Sequence, residues 1–119
     1  MLTPLELDIM KAVWQSHPIT VRDVQESIRP GRNLAYTTVM TLMDRLYHKG
    51  FLSRTLQSRT HHYDPAINFN DVRDEALDLL IQNFFGSKEK LQEFLQGEEL
   101  ESPPPMPAKT ESRLDETLL

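Results

Sequence analysis

The chain of 119 residues contains no cysteine, no long apolar run and only four glycines. The absence of cysteine excludes disulfides, thiol catalysis and cysteine-based metal sites, and it is compatible with a reducing cytoplasm. No uninterrupted apolar run approaches the roughly 20 residues of a membrane-spanning helix, so we expect no membrane insertion. No glycine-rich phosphate-binding loop is present. Because Met1 leads into a capped helix rather than a secretion signal, we expect a cytoplasmic protein.

Negative charge dominates the chain, with a formal net charge of -5, but it is unevenly distributed. Residues 1–65 carry eight Lys and Arg against six Asp and Glu, whereas residues 66–119 carry five against twelve. Between Arg29 and Arg59, six basic residues accompany a single acid, Asp44. This local excess of positive charge favours binding to nucleic acid. A surface that is merely polarised is the alternative interpretation.

Two short helices are predicted before the basic segment. The sequence Thr3-Pro4-Leu5-Glu6 is a capping box with proline at the first helical position. It opens a helix with one apolar face, formed by Leu5, Ile9, Ala12 and Val13, and we expect Trp14 to anchor the same core. The stretch from Thr20 to Asp23 repeats the pattern of a hydroxyl cap followed by an acid and opens a second, shorter helix.

A third helix is predicted within the segment from Leu34 to Gly50. Its apolar face consists of Val39, Leu42, Met43 and Leu46. Gly50 suits the left-handed conformation of the residue that ends a helix. At the start of the helix, Ala35 stands where a capping side chain is usual, which weakens this end unless Asn33 or a bound phosphate compensates. The other faces carry hydroxyls and few acids, which allows close approach to phosphates and base edges. The predicted DNA contacts on this helix are Tyr36, Thr37, Thr38, Met40, Thr41 and Arg45.

A hairpin tipped with arginine is predicted after the third helix. Phe51–Thr55 predicts one strand, Gln57–Arg59 the turn, and Thr60–Tyr63 the returning strand. Three helices followed by a hairpin are the plan of a winged helix-turn-helix domain, in which the third helix enters the DNA groove.

Three further arginines are candidate DNA contacts in this arrangement. Arg54 and Arg59 lie on the predicted wing, where they can reach phosphate or the minor groove. Arg32 lies in the turn that leads into the third helix. Ordinary solvated wing residues are the alternative interpretation of Arg54 and Arg59.

The second half of the chain predicts two more helices with a wide apolar surface. Asn70 is the predicted cap of the first, Gly86 ends it, and Ser87 caps the next. Because a small winged helix cannot cover so many apolar groups, we expect a second copy of the chain to pack against them. Packing of Phe84 and Phe85 against Trp14 within one chain is the alternative. The predicted dimerisation residues are Leu77, Leu80, Ile81, Phe84, Phe85, Leu91, Phe94 and Leu95.

The sequence therefore predicts a mainly α fold with a small β-hairpin and three segments. Residues 1–66 are expected to form a winged-helix DNA-binding domain, and residues 67–97 a helical dimerisation region. Residues 98–119 are acidic and proline-containing, and this composition is typical of a disordered tail.

Four segments also carry a resemblance to a known family, namely LTPLELDIMKAVWQ, ITVRDVQESI, LAYTTVMTLMDRLYHKGFL and HHYDP. In this order and spacing, over roughly residues 2–96, they are similar to the penicillinase-repressor (BlaI/MecI-type) family of bacterial winged-helix regulators. The resemblance implies a dimeric repressor on palindromic operators, often controlling resistance or envelope-stress genes beside a membrane-bound metallopeptidase sensor.

The resemblance further implies a regulatory protease that cuts family repressors at an Asn-Phe bond in the dimerisation region. The aligned position in this chain is Glu93-Phe94, which lacks the asparagine. Asn83-Phe84 supplies the dipeptide nearby but precedes Gly86. A protease partner is therefore implied by the family and left open by the residues.

The predicted function is that of a sequence-specific, DNA-binding transcriptional repressor that acts as a homodimer on a palindromic operator. A winged-helix module that binds protein through its acidic half, without specific DNA binding, is the alternative. We recognise no catalytic residues, no cofactor site and no metal site, and expect no enzymatic activity. Metal sensing by His61, His62 and an acid is a minor alternative to a structural role in the wing.

Overall fold

The computed structural model describes residues 2–97, and within them it contains five α-helices and one two-stranded antiparallel sheet. In chain order the elements are α1 (Pro4–Gln15), α2 (Val21–Ser27), α3 (Tyr36–His48), β1 (Leu52–Gln57), β2 (Thr60–Pro65), α4 (Phe69–Leu80), a π-helical turn (Ile81–Phe85) and α5 (Lys88–Leu95). The chain forms two compact units, the first ending at Val72 and the second beginning at Arg73. The predicted order of helices and hairpin is confirmed, and the predicted tail, residues 98–119, lies outside the described residues.

The caps of α1 and α2 form as the sequence predicts. The Thr3 hydroxyl accepts a hydrogen bond from the Glu6 N–H at 3.1 Å, and the Glu6 carboxylate accepts one from the Thr3 N–H at 3.0 Å. The Thr20 hydroxyl accepts from the Asp23 N–H at 3.2 Å. These local hydrogen bonds satisfy N–H groups that a helix start otherwise leaves unpaired.

A single core lies between the three helices and the base of the hairpin. Its fully buried side chains come from all of these elements and include Ile9, Met10, Val13, Val24, Val39, Met43 and Leu46. Trp14 packs against this core, as predicted, and its indole N–H donates to the carbonyl of Ile67 at 3.0 Å. The ring also meets Phe69 edge to face, with the centroids 5.2 Å apart. Trp14 therefore attaches the start of α4 to α1.

The hairpin is joined to the core at its base. Tyr63 in β2 is 1% exposed and exchanges two backbone hydrogen bonds with Ile19, of 3.0 and 2.8 Å. The turn consists of Ser58 and Arg59 alone, with φ of 50° and 69°, since Gln57 pairs with Thr60 across the strands. The predicted three-residue turn was therefore too long. A two-residue turn with both residues at positive φ matches the twist of the flanking strands.

Two features of α4 and its C-terminal end differ from the sequence prediction. The capping side chain at the start of α4 belongs to Asn68, whose carbonyl oxygen accepts from the Asn70 N–H at 2.7 Å. The prediction of Asn70 as the cap was wrong because Phe69 already belongs to the helix. At the other end, a π-helical turn precedes Gly86, whose φ of 87° ends the helix as predicted. Ser87 caps α5, also as predicted.

A buried carboxylate links the beginning of α1 to the end of α3. Glu6 is 3% exposed, and its second oxygen accepts from the ammonium group of Lys49 at 3.2 Å. The hydrogen bond from the Thr3 backbone, assisted by Lys49, holds the pKa of Glu6 below its usual value despite the opposing effect of burial. The carboxylate therefore stabilises both the α1 cap and the contact between the two helices.

Replacing Glu6 separates these two roles. Glu6→Gln keeps an acceptor for the Thr3 N–H but loses the charge opposite Lys49, whereas Glu6→Ala loses both. We expect Glu6→Ala to lower the free energy of unfolding by about 1–3 kcal/mol, and Glu6→Gln to lower it by less. Urea unfolding at pH 7 measures both differences.

The contribution of Glu6 should also depend on pH. Because its pKa is lower in the folded chain than in the unfolded one, the stabilisation is complete above the unfolded pKa and disappears as the pH falls through the folded pKa. Wild type and Glu6→Gln should therefore converge in stability in acid. A gap between them that stays constant from pH 7 to pH 2 would contradict the role of the charge.

Candidate nucleic-acid interface

The outward face of α3 carries the side chains that the sequence predicts for DNA contact. All of these are exposed, namely Tyr36, Thr37, Thr38, Met40, Thr41 and Arg45. They face outward because Val39, Met43 and Leu46 are fully buried on the opposite side of the helix. The face therefore combines hydroxyl groups, an aromatic ring and a cation on a rigid element.

The start of α3 has no side-chain cap. Its N-cap residue is Ala35, which offers no side chain to accept a hydrogen bond, and Asn33 does not replace it in that role. Uncapped N–H groups at a helix N-terminus, together with the positive end of the helix dipole, favour a phosphate or another anion. This end of α3 is therefore suited to the DNA backbone.

The wing and α3 enclose a groove of about 420 Å³ together with the beginning of α2. The lining residues are Thr20, Val21, Arg22, Tyr36, Met40, Arg59, Thr60, His61 and Tyr63. The groove thus brings the predicted contacts Tyr36 and Met40 together with Arg59 at the tip of the hairpin. Two guanidinium groups line it and no carboxylate does.

Arg22 is a candidate contact that sequence reasoning missed. Its guanidinium carbon lies 5.6 Å from the centroid of the Tyr36 ring, a distance at which cation and ring attract each other. The signal was present in the sequence, because the first helix of a helix-turn-helix crosses the DNA backbone and Arg22 lies in its first turn.

Arg54 is held by other residues of the same unit. Its Nη1 donates to Asp44 at 2.8 Å and to the Tyr63 hydroxyl at 3.4 Å, and its guanidinium carbon lies 4.0 Å from the centroid of the Tyr47 ring. The hydrogen bond from Arg54 lowers the pKa of Asp44, and the same bond raises the pKa of Arg54. His48 lies 3.6 Å from the other oxygen of Asp44.

The remaining predicted arginines fall into two groups. Arg32 donates to Asp8 at 2.6 Å, so that its charge is partly neutralised by α1. Arg45 and Arg59 are exposed, and neither side chain forms a hydrogen bond or an ion pair with another residue in the range 2–97. Arg45 and Arg59 are therefore the predicted cations that are available to an outside anion.

The two histidines of the wing, His61 and His62, have other neighbours than metal ligands. His62 has its Nδ1 3.2 Å from the carbonyl oxygen of Thr60, and the His61 ring lies beside Tyr63, with centroids 6.3 Å apart. Among the described residues, no three His, Asp or Glu side chains lie together as metal ligands would.

None of the helices in residues 2–97 combines the length and the apolar character needed to cross a bilayer.

The predicted dimerisation residues lie on α4, the π-helical turn and α5. Ile81, Phe85 and Leu91 are half-buried, and the rings of Phe85 and Phe94 lie 5.4 Å apart. The others are exposed, namely Leu77, Leu80, Phe84, Phe94 and Leu95. None of the described residues in these three elements is buried.

Comparison with known proteins relates this chain to bacterial regulators. Residues 2–103 match the model of the penicillinase repressor family. Transcriptional regulator BlaI of Mycobacterium tuberculosis is 42% identical over 66 residues, which are 55% of this chain and 48% of that protein. Methicillin resistance regulatory protein MecI of Staphylococcus aureus is 24% identical over 72 residues, which are 60% of this chain and 58% of that protein. The chain thus spans about half the length of these relatives.

Solved structures give the same assignment. BlaI of Bacillus licheniformis, in its monomeric form in complex with the blaP half-operator, superposes with a TM-score of 0.51 and 27% identity, covering 60% of this chain and 87% of that one. The DNA-binding domain of the repressor BlaI gives a TM-score of 0.53 with the same identity and coverage. The predicted winged-helix fold is thereby confirmed. The chain belongs to the penicillinase repressor family, a family of transcriptional repressors and not of enzymes.

Proposed function

We propose that this protein is a DNA-binding transcriptional repressor that acts as a homodimer on a palindromic operator. The observation that carries the proposal is the exposed face of α3 beside the free guanidinium group of Arg59, in a fold shared with a BlaI chain solved on its half-operator. In that complex a BlaI monomer binds a half-operator, which supports the binding of one half-site by the first unit of each chain.

In this proposal, α3 reads the operator from the major groove. Thr37, Thr38 and Thr41 present hydroxyl groups that both donate and accept hydrogen bonds, and Arg45 adds a donor suited to guanine. The uncapped start of α3 and the exposed Arg59 bind phosphates, which fixes the position of the helix without reading sequence. Sequence recognition and backbone attachment are thus assigned to different residues.

The second unit supports the proposed homodimer. Leu80 is 42% exposed, Phe84 64% and Leu95 70%, and exposed large apolar groups in this number favour an interaction surface. A two-fold axis through this surface would present two α3 helices to half-sites about 34 Å apart, or a multiple of that distance. Binding both half-sites together strengthens the attachment without any new contact.

The regulated genes and the inducing partner are part of the same proposal. The name of one relative, methicillin resistance regulatory protein, supports a role in controlling resistance genes. Envelope-stress genes are the alternative proposed targets. A regulatory protease is the proposed inducer. Asn-Phe bonds occur twice among residues 2–97, as Asn68-Phe69 at the start of α4 and as Asn83-Phe84 in the π-helical turn, and neither stands at the aligned position Glu93-Phe94.

The first test is a fluorescence-anisotropy titration of the purified protein into the DNA upstream of its own gene and into a scrambled duplex, at low and near-physiological salt. We expect tighter binding to the upstream duplex and a steep loss of affinity with salt, because phosphate contacts release counterions. Thr38→Ala and Arg45→Ala should each weaken only the specific complex, by about 1–3 kcal/mol where the side chain contacts a base.

Lys11→Ala is the matched control, since Lys11 is an exposed cation on α1, outside α3 and the wing. It should leave binding to both duplexes unchanged. Equal and weak binding of the wild type to both duplexes would require selection from random DNA sequences. Failure of that selection with a folded protein would contradict DNA recognition and favour a protein-binding module.

Arg59→Gly should separate stability from DNA binding. Arg59 occupies the left-handed region at a φ of 69°, where a side chain is strained and glycine is not. We expect the free energy of unfolding to rise by about 0.5–1 kcal/mol. Affinity for both duplexes should fall, and the salt slope should decrease by about 0.9 for one lost phosphate contact. Wild-type binding by this variant would exclude Arg59 from the interface.

Sedimentation equilibrium over a range of protein concentrations tests the homodimer. We expect a dimeric mass for the wild type and at least about a tenfold weaker association for Phe84→Ser, because burying one such side chain contributes about 1.5–3 kcal/mol. Leu56→Ser is the matched control, since Leu56 on the wing is 61% exposed and lies outside the proposed interface. A monomeric wild type at every concentration would overturn the homodimer.

A further inference from the structure

Arg54 is the residue nearest the tip of the wing whose side chain is hydrogen-bonded to α3. Its guanidinium group donates to Asp44 and lies 4.0 Å from the centroid of the Tyr47 ring. Among the described residues, no side chain from Thr55 to His62 forms a hydrogen bond or an ion pair outside the hairpin. Arg54 therefore makes the side-chain hydrogen bond nearest the tip of the wing that reaches α3, while His61 is close enough to act on the charge of Asp44.

The same guanidinium group is also bonded to the buried side of the hairpin. Arg54 lies opposite Tyr63 in the strand register, and its Nη1 is 3.4 Å from the Tyr63 hydroxyl. Tyr63 is fixed by its backbone hydrogen bonds to Ile19. Arg54 thus connects the surface of α3 to the buried Tyr63 of the wing.

The covalent connection between α3 and the wing does not by itself fix their angle. Only residues 49–51 separate the two elements, and Gly50 among them has a φ of 90° with nothing within 4 Å of the place where a Cβ would stand. The N–H groups of Gly50 and Phe51 donate to the carbonyls of Tyr47 and Leu46, which fixes the base of the hairpin but not the strands beyond it. Side-chain contacts farther along the hairpin must therefore hold its outer half in its direction.

Asp44 is unusual in this part of the chain, because it is the single acid among the residues from Arg29 to Arg59. A carboxylate close to a DNA surface repels phosphates and weakens binding. Arg54 donates a hydrogen bond to this carboxylate, which lowers the pKa of Asp44, and the positive charge of Arg54 offsets part of this repulsion. The hydrogen bond with Arg54 indicates a structural role for Asp44 at this position.

We propose that Asp44, Tyr47 and Arg54 form a brace that sets the direction of the wing relative to α3. Arg54 is in this account a positioning residue, and Arg59 at the end of the braced hairpin contacts the DNA. The planar guanidinium group suits the role because it can lie over the Tyr47 ring while its Nη1 donates to Asp44 and Tyr63. A lysine ammonium group has enough N–H donors but lacks the plane that packs on the ring. The inference rests on the proposed function.

Asp44→Asn gives the sharpest test, because charge and geometry predict opposite signs. Removing a negative charge near DNA raises affinity if Asp44 acts through its charge alone. Asn keeps an acceptor for Arg54 but loses the charge that strengthens the hydrogen bond, which weakens the brace and lowers the affinity. We expect a threefold to tenfold larger Kd for an operator duplex, roughly the strength of one exposed charge pair or cation–ring contact. Asp44 is half-exposed, so the substitution is expected to leave the core intact, and circular dichroism checks this.

Arg54→Gln and Arg54→Lys complete the test through the salt dependence of Kd. If Arg54 acts through the brace, Arg54→Gln should bind the operator more weakly with an unchanged salt slope, and Arg54→Lys should not restore the affinity. A phosphate contact predicts a slope smaller by about 0.9 and recovery by lysine. Arg59→Gln is the matched control from the same hairpin and should show the smaller slope. The double variant of Asp44→Asn and Arg54→Gln should bind no more weakly than either single variant.

The outcomes separate the brace from the proposed function. Tighter binding by Asp44→Asn, or lysine rescue with a reduced slope in Arg54→Gln, overturns the brace while operator binding by the wild type stands. Absence of sequence-dependent binding by the folded wild type, after selection from random DNA, overturns the proposed function and the brace with it.

Discussion

Burial of one face of α3 is the constraint on which the geometry of the first unit depends. Val39, Met43 and Leu46 are fully buried, and a rotation of the helix about its axis would expose them while burying threonine hydroxyls and Arg45. Burying such polar groups without partners is costly. The helix is therefore fixed in rotation by its apolar side, and the outward presentation of the other side follows. The proposed recognition surface is in this sense a consequence of the core.

The arginines near this surface differ in role because they differ in partner. Asp8 holds Arg32 and Asp44 holds Arg54, whereas Arg45 and Arg59 have no ionic partner among residues 2–97. A cation that is already paired gains little from a phosphate, since it must first give up its carboxylate. The excess positive charge of the segment is thus concentrated in fewer side chains than the composition suggests.

Much of the fold was predictable because its determinants are local. The caps at Thr3, Thr20 and Ser87 formed as predicted, since each depends on a hydroxyl and an N–H group three residues apart. The apolar faces of α1 and α3 were readable from a period of 3.6 residues. The misplaced cap at Asn68 and the shorter hairpin turn show the limit, because neighbouring residues compete for the same role and small differences in packing decide between them.

In the candidate site, too, the local features were predictable from the sequence and the contacts between distant residues were not. The sequence by itself determined that a helix with exposed hydroxyls runs into a basic hairpin, because helical period, turn residues and charge are properties of short segments. Only the tertiary structure decided that Arg22 joins Tyr36 at the groove and that Arg54 is bonded to Asp44. The exposure of Phe84 also became visible only there. These facts depend on distances between residues that are separate in sequence, and those distances are set by the packing of the core.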